Sequence, residues 1–372
     1  PSPLSEKRLL DMAGNKASCG IWAPCLSYSD GIFYLVFTNV RSWNDSPWKD
    51  CPNFLTTAES IEGPWSDPVF MNASGFDASL FHDDDGKKWF VNMEWDYRQQ
   101  GPRQFSGILV QEYDCKAKKL VGKVHKIFLG TDIGLVEGPH LYKRDGWYYL
   151  VCAEGGTSYE HAITCARSKN LFGPYEVHPA NPLITSYGYG CKIKRAGHGS
   201  WCKSPDGKKD YLVYLCGRPL EGTERCVLGR ETGIAELEWK DGWPWVKQSD
   251  GTLKNCPPDY IEVKGRGIIA PGCGVAHVAE KYEFKNKDFL AEFKTLRIPF
   301  DDKRFSISEH PGFLRIHGGQ SPSSCFEQSL LARRQTDFDF IAETKMEFTP
   351  ESFQHFAGMI YRYDEKSQYL CV

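Results

Sequence analysis

Two acidic residues lie in sequence surroundings where a carboxyl group could do acid–base chemistry. Glu137 lies between an apolar Leu-Val pair and a Gly-Pro turn, and Asp77 lies in the segment Gly-Phe-Asp-Ala-Ser at 75–79. Apolar neighbours exclude water from a carboxyl group, which favours its neutral form and raises its pKa. A carboxylic acid that stays protonated near neutral pH can donate its proton to a leaving group. The alternatives are a solvated or capping role for Glu137 and a turn cap for Asp77.

The bulk composition argues against several classes of function. The 372 residues carry a net charge of −3, so no basic field indicates nucleic acid or an anionic membrane as a partner. No apolar run reaches the roughly 18 residues that a membrane-spanning helix needs. The cysteines have neither C-x-x-C nor zinc-finger spacing, which argues against a structural zinc site. Cys152 and Cys216 lie in apolar runs and are expected to be buried thiols, while a disulfide set stays open.

A turn signal recurs along residues 1–250 and indicates repeated strand units. Asp-Gly pairs begin at positions 30, 85, 145 and 206, that is, 55, 60 and 61 residues apart, and each precedes a short apolar run. Asp-Gly between apolar runs is a hairpin signal, because Gly adopts positive φ at little cost. Four-stranded units with such a period predict a β-propeller. Three or four full units are visible, and residues 1–18 hold no strand pair, so we expect a blade to be missing before Pro1.

The chain is expected to divide into three segments. Residues 1–256 form the propeller, residues 257–280 form a Pro- and Gly-containing linker, and residues 281–372 form a β-sandwich. The sandwich is predicted from short alternating strands, one of them at 342–348. The last strand runs into Val372, which would leave an open edge, so we expect an incomplete sandwich.

Seven motifs, taken together and in order, resemble glycoside hydrolase family 43, most closely its β-xylosidase and α-L-arabinofuranosidase branch. They lie at 20–24, 75–81, 131–141, 153–157, 197–200, 217–220 and 228–232. The resemblance covers nearly the whole chain. It implies an all-β fold, in which a five-bladed β-propeller with its active site in the central funnel precedes a concanavalin-like β-sandwich.

The resemblance also implies an inverting mechanism with three acidic residues. Glu137 takes the position of the general acid, and Asp77 takes the position that tunes the pKa of the acid and orients it. In the family the general base belongs to an Asn-Pro-Asp-Pro-Ser type motif on the first blade, and these 372 residues contain no such motif. We therefore expect the base to be absent from this chain.

Four further residues are implied to contact the sugar. His198 would orient a carboxylate or a water, with a packed core histidine as the alternative. Arg218 would bind sugar hydroxyls or a carboxylate, with a surface salt bridge as the alternative. Trp22 and Trp95 would form stacking walls, with plain core packing as the alternative. Cys25 stands where the family often has an acidic residue, and a thiol carries no permanent charge at neutral pH.

These inferences predict an inverting exo-glycoside hydrolase that releases β-1,4-linked xylose from xylo-oligosaccharides, with α-L-arabinofuranose as a second product. Loss of general base catalysis costs about 10²–10⁴-fold, so turnover by the chain as given is expected to be impaired. No cofactor and no metal are expected, and the partner is a xylo-oligosaccharide or an arabinoside. A homo-oligomer and the cellular compartment stay open. The alternatives are a non-catalytic carbohydrate-binding propeller and a protein-interaction propeller.

Overall fold

The computed structural model describes residues 10, 12–16, 18–262 and 280–372. They divide into two compact units, the first made of residues 10 and 19–262 and the second of residues 12–16, 18 and 280–372. Most of the predicted linker, residues 263–279, lies outside the described residues. Among the described helices, none has both the length and the apolar character that crossing a membrane requires.

Four antiparallel sheets, each built from strands consecutive in the chain, form the first unit. The first sheet holds β1 (Gly20–Ser29), β2 (Ile32–Val40), β3 (Asn53–Ala58) and β4 (Val69–Asn72). The second holds β5 (Ser79–His82), β6 (Lys88–Trp95), β7 (Phe105–Asp114) and β8 (Lys119–Phe128), with a 3-10 helix at Gly101–Gln104. The third holds β9 (Glu137–Arg144), β10 (Trp147–Glu154), β11 (Ala162–Ser168), β12 (Glu176–Val177) and β13 (Ile184–Thr185). The fourth holds β14 (Lys194–Lys203), β15 (Asp210–Gly217), β16 (Glu231–Lys240) and β17 (Trp243–Val246).

The Asp-Gly pairs make the first turn of each sheet, as predicted. Asp30 and Gly31 join β1 to β2 with φ angles of 54° and 81°, and Asp145 and Gly146 join β9 to β10 with 50° and 72°. Positive φ at both central residues matches the right-handed twist of the flanking strands, which is why Asp-Gly closes these two hairpins with two residues. The apolar runs that follow become the second strand of every blade.

The first strands of the sheets lie side by side and place their early residues around a common centre. β1 contacts β5, β5 contacts β9, and β9 contacts β14. Apolar side chains fill the space between neighbouring sheets. A fully buried valine, leucine, isoleucine or methionine side chain contributes roughly 1.5–3 kcal/mol to the stability of the fold. The core includes Val91, Met93, Ile108, Val136 and Leu150 in one cluster and Val151, Ile163, Leu183 and Leu212 in another. The all-β propeller is confirmed with four blades among the described residues, and the fifth blade stays a prediction.

The second unit contains short antiparallel strand pairs. The strands are β18 (Lys294–Thr295), β19 (Phe305–Ser306), β20 (Arg315–Ile316), β21 (Leu331–Ala332), β22 (Met359–Arg362) and β23 (Gln368–Cys371), with a 3-10 helix at Asp288–Ala291. β18 pairs with β21, β19 with β20, and β22 with β23. The strand predicted at 342–348 is wrong: these residues are exposed, and no described segment pairs with them.

All described cysteines are free thiols, including the buried Cys152 and Cys216. Both side chains lie inside the hydrophobic clusters between sheets. The expectation that they act as small apolar side chains is therefore confirmed.

Candidate active site

Three titratable side chains meet at the centre of the propeller. Asp77 lies two residues before β5, Glu137 is the first residue of β9, and His198 lies within β14. Their carboxylate oxygens and imidazole nitrogen all lie within 4.8 Å of one another. The blade period brings together residues that are about 60 positions apart in the chain, because each comes from the first strand of a blade or the loop leading into it.

Asp77 is bonded to the backbone next to Glu137. The Asp77 side chain is buried, and its Oδ2 accepts a hydrogen bond of 3.2 Å from the N–H of Gly138. The same oxygen lies 3.9 Å from Nδ1 of His198. Ser79 supports this contact, since its hydroxyl donates to the carbonyl of Pro139 at 2.6 Å. The loop of the second blade therefore holds the start of β9 in a fixed position.

The absence of a side chain at Gly138 leaves room for the imidazole of His198. The φ of Gly138 is +55°, and a Cβ added there would lie 2.8 Å from Nε2 of His198. His198 itself has φ of +43° at a bulge of β14, between Gly197 and Gly199. A bulge redirects a side chain relative to the regular alternation of a strand, and here it points the imidazole towards the two carboxyls.

Burial and the charge of Asp77 favour the protonated form of Glu137. Burial raises the pKa of Glu137 well above its usual value, and the charge of Asp77 raises it further. Burial also raises the pKa of Asp77, but the charge of His198 and the hydrogen bond from Gly138 oppose that shift. Because Asp77 has these compensating partners, we assign the shared proton to Glu137 and the charge to Asp77. The alternative of a solvated loop residue for Glu137 is wrong, since its side chain is 7% exposed.

The three residues are the one group of three or more His, Cys, Asp or Glu side chains in the described part of the chain whose ligating atoms approach so closely. Their ligating atoms could hold a cation, and an imidazole beside two carboxyl groups could equally exchange protons with them. This geometry suits proton transfer.

Trp22 and Trp95 belong to a half-buried aromatic cluster beside this centre. The ring centroid of Trp22 lies 4.8 Å from that of Trp43 and 5.5 Å from that of Phe76, the residue before Asp77. Trp95 lies 5.4 Å from Trp43, and its indole N–H donates to the carbonyl of Pro47 at 2.8 Å. Both tryptophans therefore pack on neighbours, and whether they also stack on a sugar stays a prediction. Trp43 was missed because it lies in a loop without strand periodicity.

Arg218 forms an ion pair with Glu231. Its Nη2 and Nε atoms lie 2.8 and 2.9 Å from Oε1 of Glu231, the first residue of β16. This is the salt bridge that the sequence left open as an alternative, and substrate contact by Arg218 stays a prediction. The neighbouring Arg230 is exposed, and its positive charge lowers the pKa of both Asp77 and Glu137. Sequence reasoning singled out Arg218 and passed over Arg230, although Arg230 lies inside the motif at 228–232.

Cys25 lies against a second histidine, the half-buried His140. Its Sγ is 4.0 Å from Nδ1 of His140 on β9. Burial raises the pKa of the Cys25 thiol, and burial together with the charge of His198 lowers the pKa of His140 to about 3. A neutral thiol thus faces a neutral imidazole, so this pair needs no carboxylate for charge balance.

Comparison with known proteins gives matches along both units. The family described as "Glycosyl hydrolases family 43" matches residues 1–244, and "Beta xylosidase C-terminal Concanavalin A-like domain" matches residues 281–372. A "Xylosidase/arabinosidase 43B" of Humicola insolens is 51% identical over 359 residues, which are 96% of this chain and 64% of that protein. A "Beta-xylosidase" of Bacillus subtilis (strain 168) is 46% identical over 375 residues, which are 98% of this chain and 68% of that protein.

Among solved structures, a xylan beta-1,4-xylosidase from Bacillus Halodurans C-125 has a TM-score of 0.84 and 48% sequence identity. The match covers 99% of this chain and 69% of that one. The chain therefore spans about two thirds of the length of these relatives, and 64% of the first.

Proposed function

Because the chain belongs to glycosyl hydrolases family 43, we propose that its propeller is a glycosidase domain that acts on terminal xylose units. The relatives named above are a xylosidase/arabinosidase, a beta-xylosidase and a xylan beta-1,4-xylosidase, which supports this substrate class. The single observation that carries the proposal is the buried pair of Asp77 and Glu137, whose carboxylate oxygens lie within 4.8 Å of each other. α-L-Arabinofuranosides are included as a second substrate class, since one relative is named for both activities.

Glu137 is proposed as the general acid. Its raised pKa favours the protonated carboxyl at pH values where an ordinary glutamic acid is ionised. It protonates the glycosidic oxygen as the bond to the sugar breaks, a contribution of about 10²–10⁴-fold in rate. The Glu137 anion that results lies next to the charge of Asp77, and this repulsion favours the return of a proton before the next turnover.

Asp77 is proposed to modulate the acid and not to activate water. The two carboxyl groups of an inverting pair lie roughly 6.5–9.5 Å apart, which leaves room for the attacking water. The closest oxygens of Asp77 and Glu137 lie within 4.8 Å, and Asp77 is bonded to the backbone of β9. These contacts support a role in holding the pKa and the orientation of Glu137.

The inverting reaction also needs a base, and the motif that carries it in the family is not among these 372 residues. We therefore propose that the chain as given binds the sugar and holds the acid, but turns over slowly. Trp22 and His198 are proposed to contact the sugar, together with Arg230, whose exposed guanidinium acts on both carboxyls. The half-buried aromatic cluster that contains Trp22 and Trp95 also fits a second candidate, a carbohydrate-binding propeller without turnover.

The test compares turnover with binding. Release of nitrophenol from the β-xyloside and the α-L-arabinofuranoside is measured for this chain and for Glu137→Gln, and xylose is titrated while tryptophan fluorescence is followed. Slow turnover by the parent chain, lost in the variant, together with saturable binding of xylose supports the proposed hydrolase. Binding without any turnover favours the carbohydrate-binding alternative, and failure to bind xylose contradicts both.

A further inference from the structure

A fully buried carboxylate lies outside the group that was assigned to proton transfer. Glu154 ends β10, and its residue is 0% exposed. Its Oε1 accepts a hydrogen bond of 2.6 Å from the backbone N–H of Thr131, and its Oε2 accepts one of 2.6 Å from the hydroxyl of the same threonine. The hydroxyl of Thr164 also donates to Oε2. A buried carboxylate is tolerated only when its oxygens have such partners, so these bonds are obligatory for the local fold.

The segment that Glu154 holds leads directly to the general acid. Thr131 lies six positions before Glu137, and between them Gly134 is fixed by a 2.8 Å hydrogen bond from the N–H of Gly155 to its carbonyl. Glu137 itself pairs with Ala153, the residue before Glu154. The end of β10 therefore holds the approach to the acid at three successive points.

The contact between Glu154 and Thr131, called the clamp from here on, leaves no space for a side chain at Gly130. A Cβ added at Gly130, the residue before Thr131, would lie 2.7 Å from Oε1 of Glu154 and 3.0 Å from Cβ of Val136. Gly130 also has φ of +87°, which disfavours any other residue. Gly130 and Thr131 are thus packed closely against Glu154, and Val136 is buried immediately before the acid.

We propose that Glu154 is a positioning residue for the general acid: through Thr131 it fixes the segment that delivers Glu137 into the buried centre of the propeller. The proposal rests on the proposed function of Glu137. The charged and titratable groups around the acid come from other blades, namely Asp77 from the second and His198 and Arg230 from the fourth. Cys152 on β10 is the titratable neighbour of Glu154, whose charge adds to burial in raising the pKa of that thiol.

Substitutions at Thr131 test the clamp with the smallest change in volume. Thr131→Val removes the hydroxyl donor, Thr131→Ser keeps it, and Glu154→Gln replaces an accepting oxygen by a donor. Release of the segment admits water to Glu137 and lowers its pKa, so the basic limb of the pH–rate profile moves to lower pH, by about one unit. We expect Thr131→Val and Glu154→Gln to show this shift. We also expect kcat to fall by about 3- to 10-fold, because the general acid would be misplaced but not removed. Thr131→Ser should match the parent.

Asp83→Asn is the matched control for stability. Asp83 holds the other end of the β9–β10 hairpin, where it accepts hydrogen bonds from Lys143 at 2.6 Å and from the hydroxyl of Tyr148 at 2.9 Å. We expect this variant to lower Tm and leave the basic limb in place. If Thr131→Val and Glu154→Gln lower Tm in the same way and the limb does not move, Glu154 is only a structural residue and the proposal is overturned.

A measurement that needs no turnover shows whether the role of Glu154 or the assignment of Glu137 as the acid has failed. The carboxyl carbon of Glu137 is titrated by carbon-13 NMR in protein labelled at glutamate, and its signal is assigned by its loss in Glu137→Gln. An ordinary pKa in the parent chain would contradict the assignment of Glu137 as the acid. A raised pKa in the parent that falls in Thr131→Val and stays in Thr131→Ser supports the positioning role, and a raised pKa that is the same in all three chains overturns it.

Discussion

Asp77 accepts a hydrogen bond from the backbone N–H of Gly138, the residue that follows the proposed acid. One carboxylate thereby fixes the position of the other while repelling its ionised form. The bond also stabilises the charge on Asp77 itself, because a carboxylate gains from an N–H donor. The two effects together separate the pKa values of two carboxyl groups that lie within 4.8 Å.

Asp77→Asn is expected to lower the pKa of Glu137. The charge of Asp77 is the second cause of the raised pKa, after burial, so the shift should shrink without disappearing. Glu137 must be protonated to act, and activity falls as pH rises through its pKa. The basic limb of the pH–rate profile should therefore move to lower pH. A limb that stays in place would show that burial alone sets the pKa of Glu137.

Arg230→Gln is expected to move the basic limb of the pH–rate profile to higher pH. The positive charge of Arg230 lowers the pKa of Glu137, so its removal raises that pKa and extends activity to higher pH. We also expect KM to rise, since the proposal places this guanidinium against the sugar. Arg218→Gln is the control for the pH profile, because Glu231 already neutralises the charge of Arg218. If Arg218→Gln shifts the limb and Arg230→Gln does not, the assignment of the two arginines is reversed.

Glu137→Gln is expected to stabilise the fold at neutral and alkaline pH. The folded chain keeps the proton of Glu137 above its ordinary pKa of 4.5, whereas the unfolded chain loses it. The contribution of Glu137 to stability is fully present below that value and is lost as pH rises to the raised pKa. Over this pH range the free energy of unfolding of the parent chain falls by about 1.4 kcal/mol for each unit by which the pKa of Glu137 in the folded chain exceeds that in the unfolded chain.

Thermal unfolding at pH 4 and pH 8 measures this effect. The difference in Tm between Glu137→Gln and the parent should be larger, in favour of the variant, at pH 8 than at pH 4. Each kcal/mol of stability should shift Tm by roughly 2–4 °C. Glu59→Gln, at an exposed position, is the control and should show no such difference. Equal Tm differences at the two pH values would mean that Glu137 is ionised in the folded chain.

Gly138→Ala is expected to damage the site more than the fold. The added Cβ would lie 2.8 Å from Nε2 of His198, and the φ of +55° costs a further 1–2 kcal/mol, roughly. Gly146→Ala is the matched control, because Gly146 also has positive φ (72°) but its nearest neighbour is Nζ of Lys169 at 3.8 Å. Both variants should lose stability, and only Gly138→Ala should lose xylose binding and turnover. Equal effects of the two variants on binding would contradict the account of His198.

The sequence carried the local signals of the hairpins, whereas Glu137 was singled out by its apolar neighbours and the roles of Glu137 and Asp77 by the resemblance to the family. Asp-Gly pairs at a regular spacing predict hairpins through the conformation of glycine alone. The strand predicted at 342–348 failed because alternation is only a propensity, and a strand also needs a partner.

Contacts between blades were not readable from the sequence. Arg230 and Arg218 lie in similar polar surroundings, and only the fold shows that Arg218 pairs with Glu231 and that the charge of Arg230 acts on Asp77 and Glu137. Glu154 stands at the end of an apolar run like many surface glutamates, and its burial depends on where Thr131 arrives from an adjacent loop. Side-chain partners that are distant in the chain leave no periodic pattern.

The most direct test of Glu137 as the general acid uses leaving groups that differ in their need for protonation. Azide is added as a nucleophile that, unlike water, needs no base: it attacks the anomeric carbon and forms the xylosyl azide as the leaving group departs. The rates of the parent chain and of Glu137→Gln are compared on xylobiose and on dinitrophenyl β-xyloside. We predict a loss of about 10²–10⁴-fold for the variant on xylobiose, whose leaving group needs a proton, and little loss on the dinitrophenyl substrate. Equal losses on the two substrates would contradict the assignment of Glu137 as the acid.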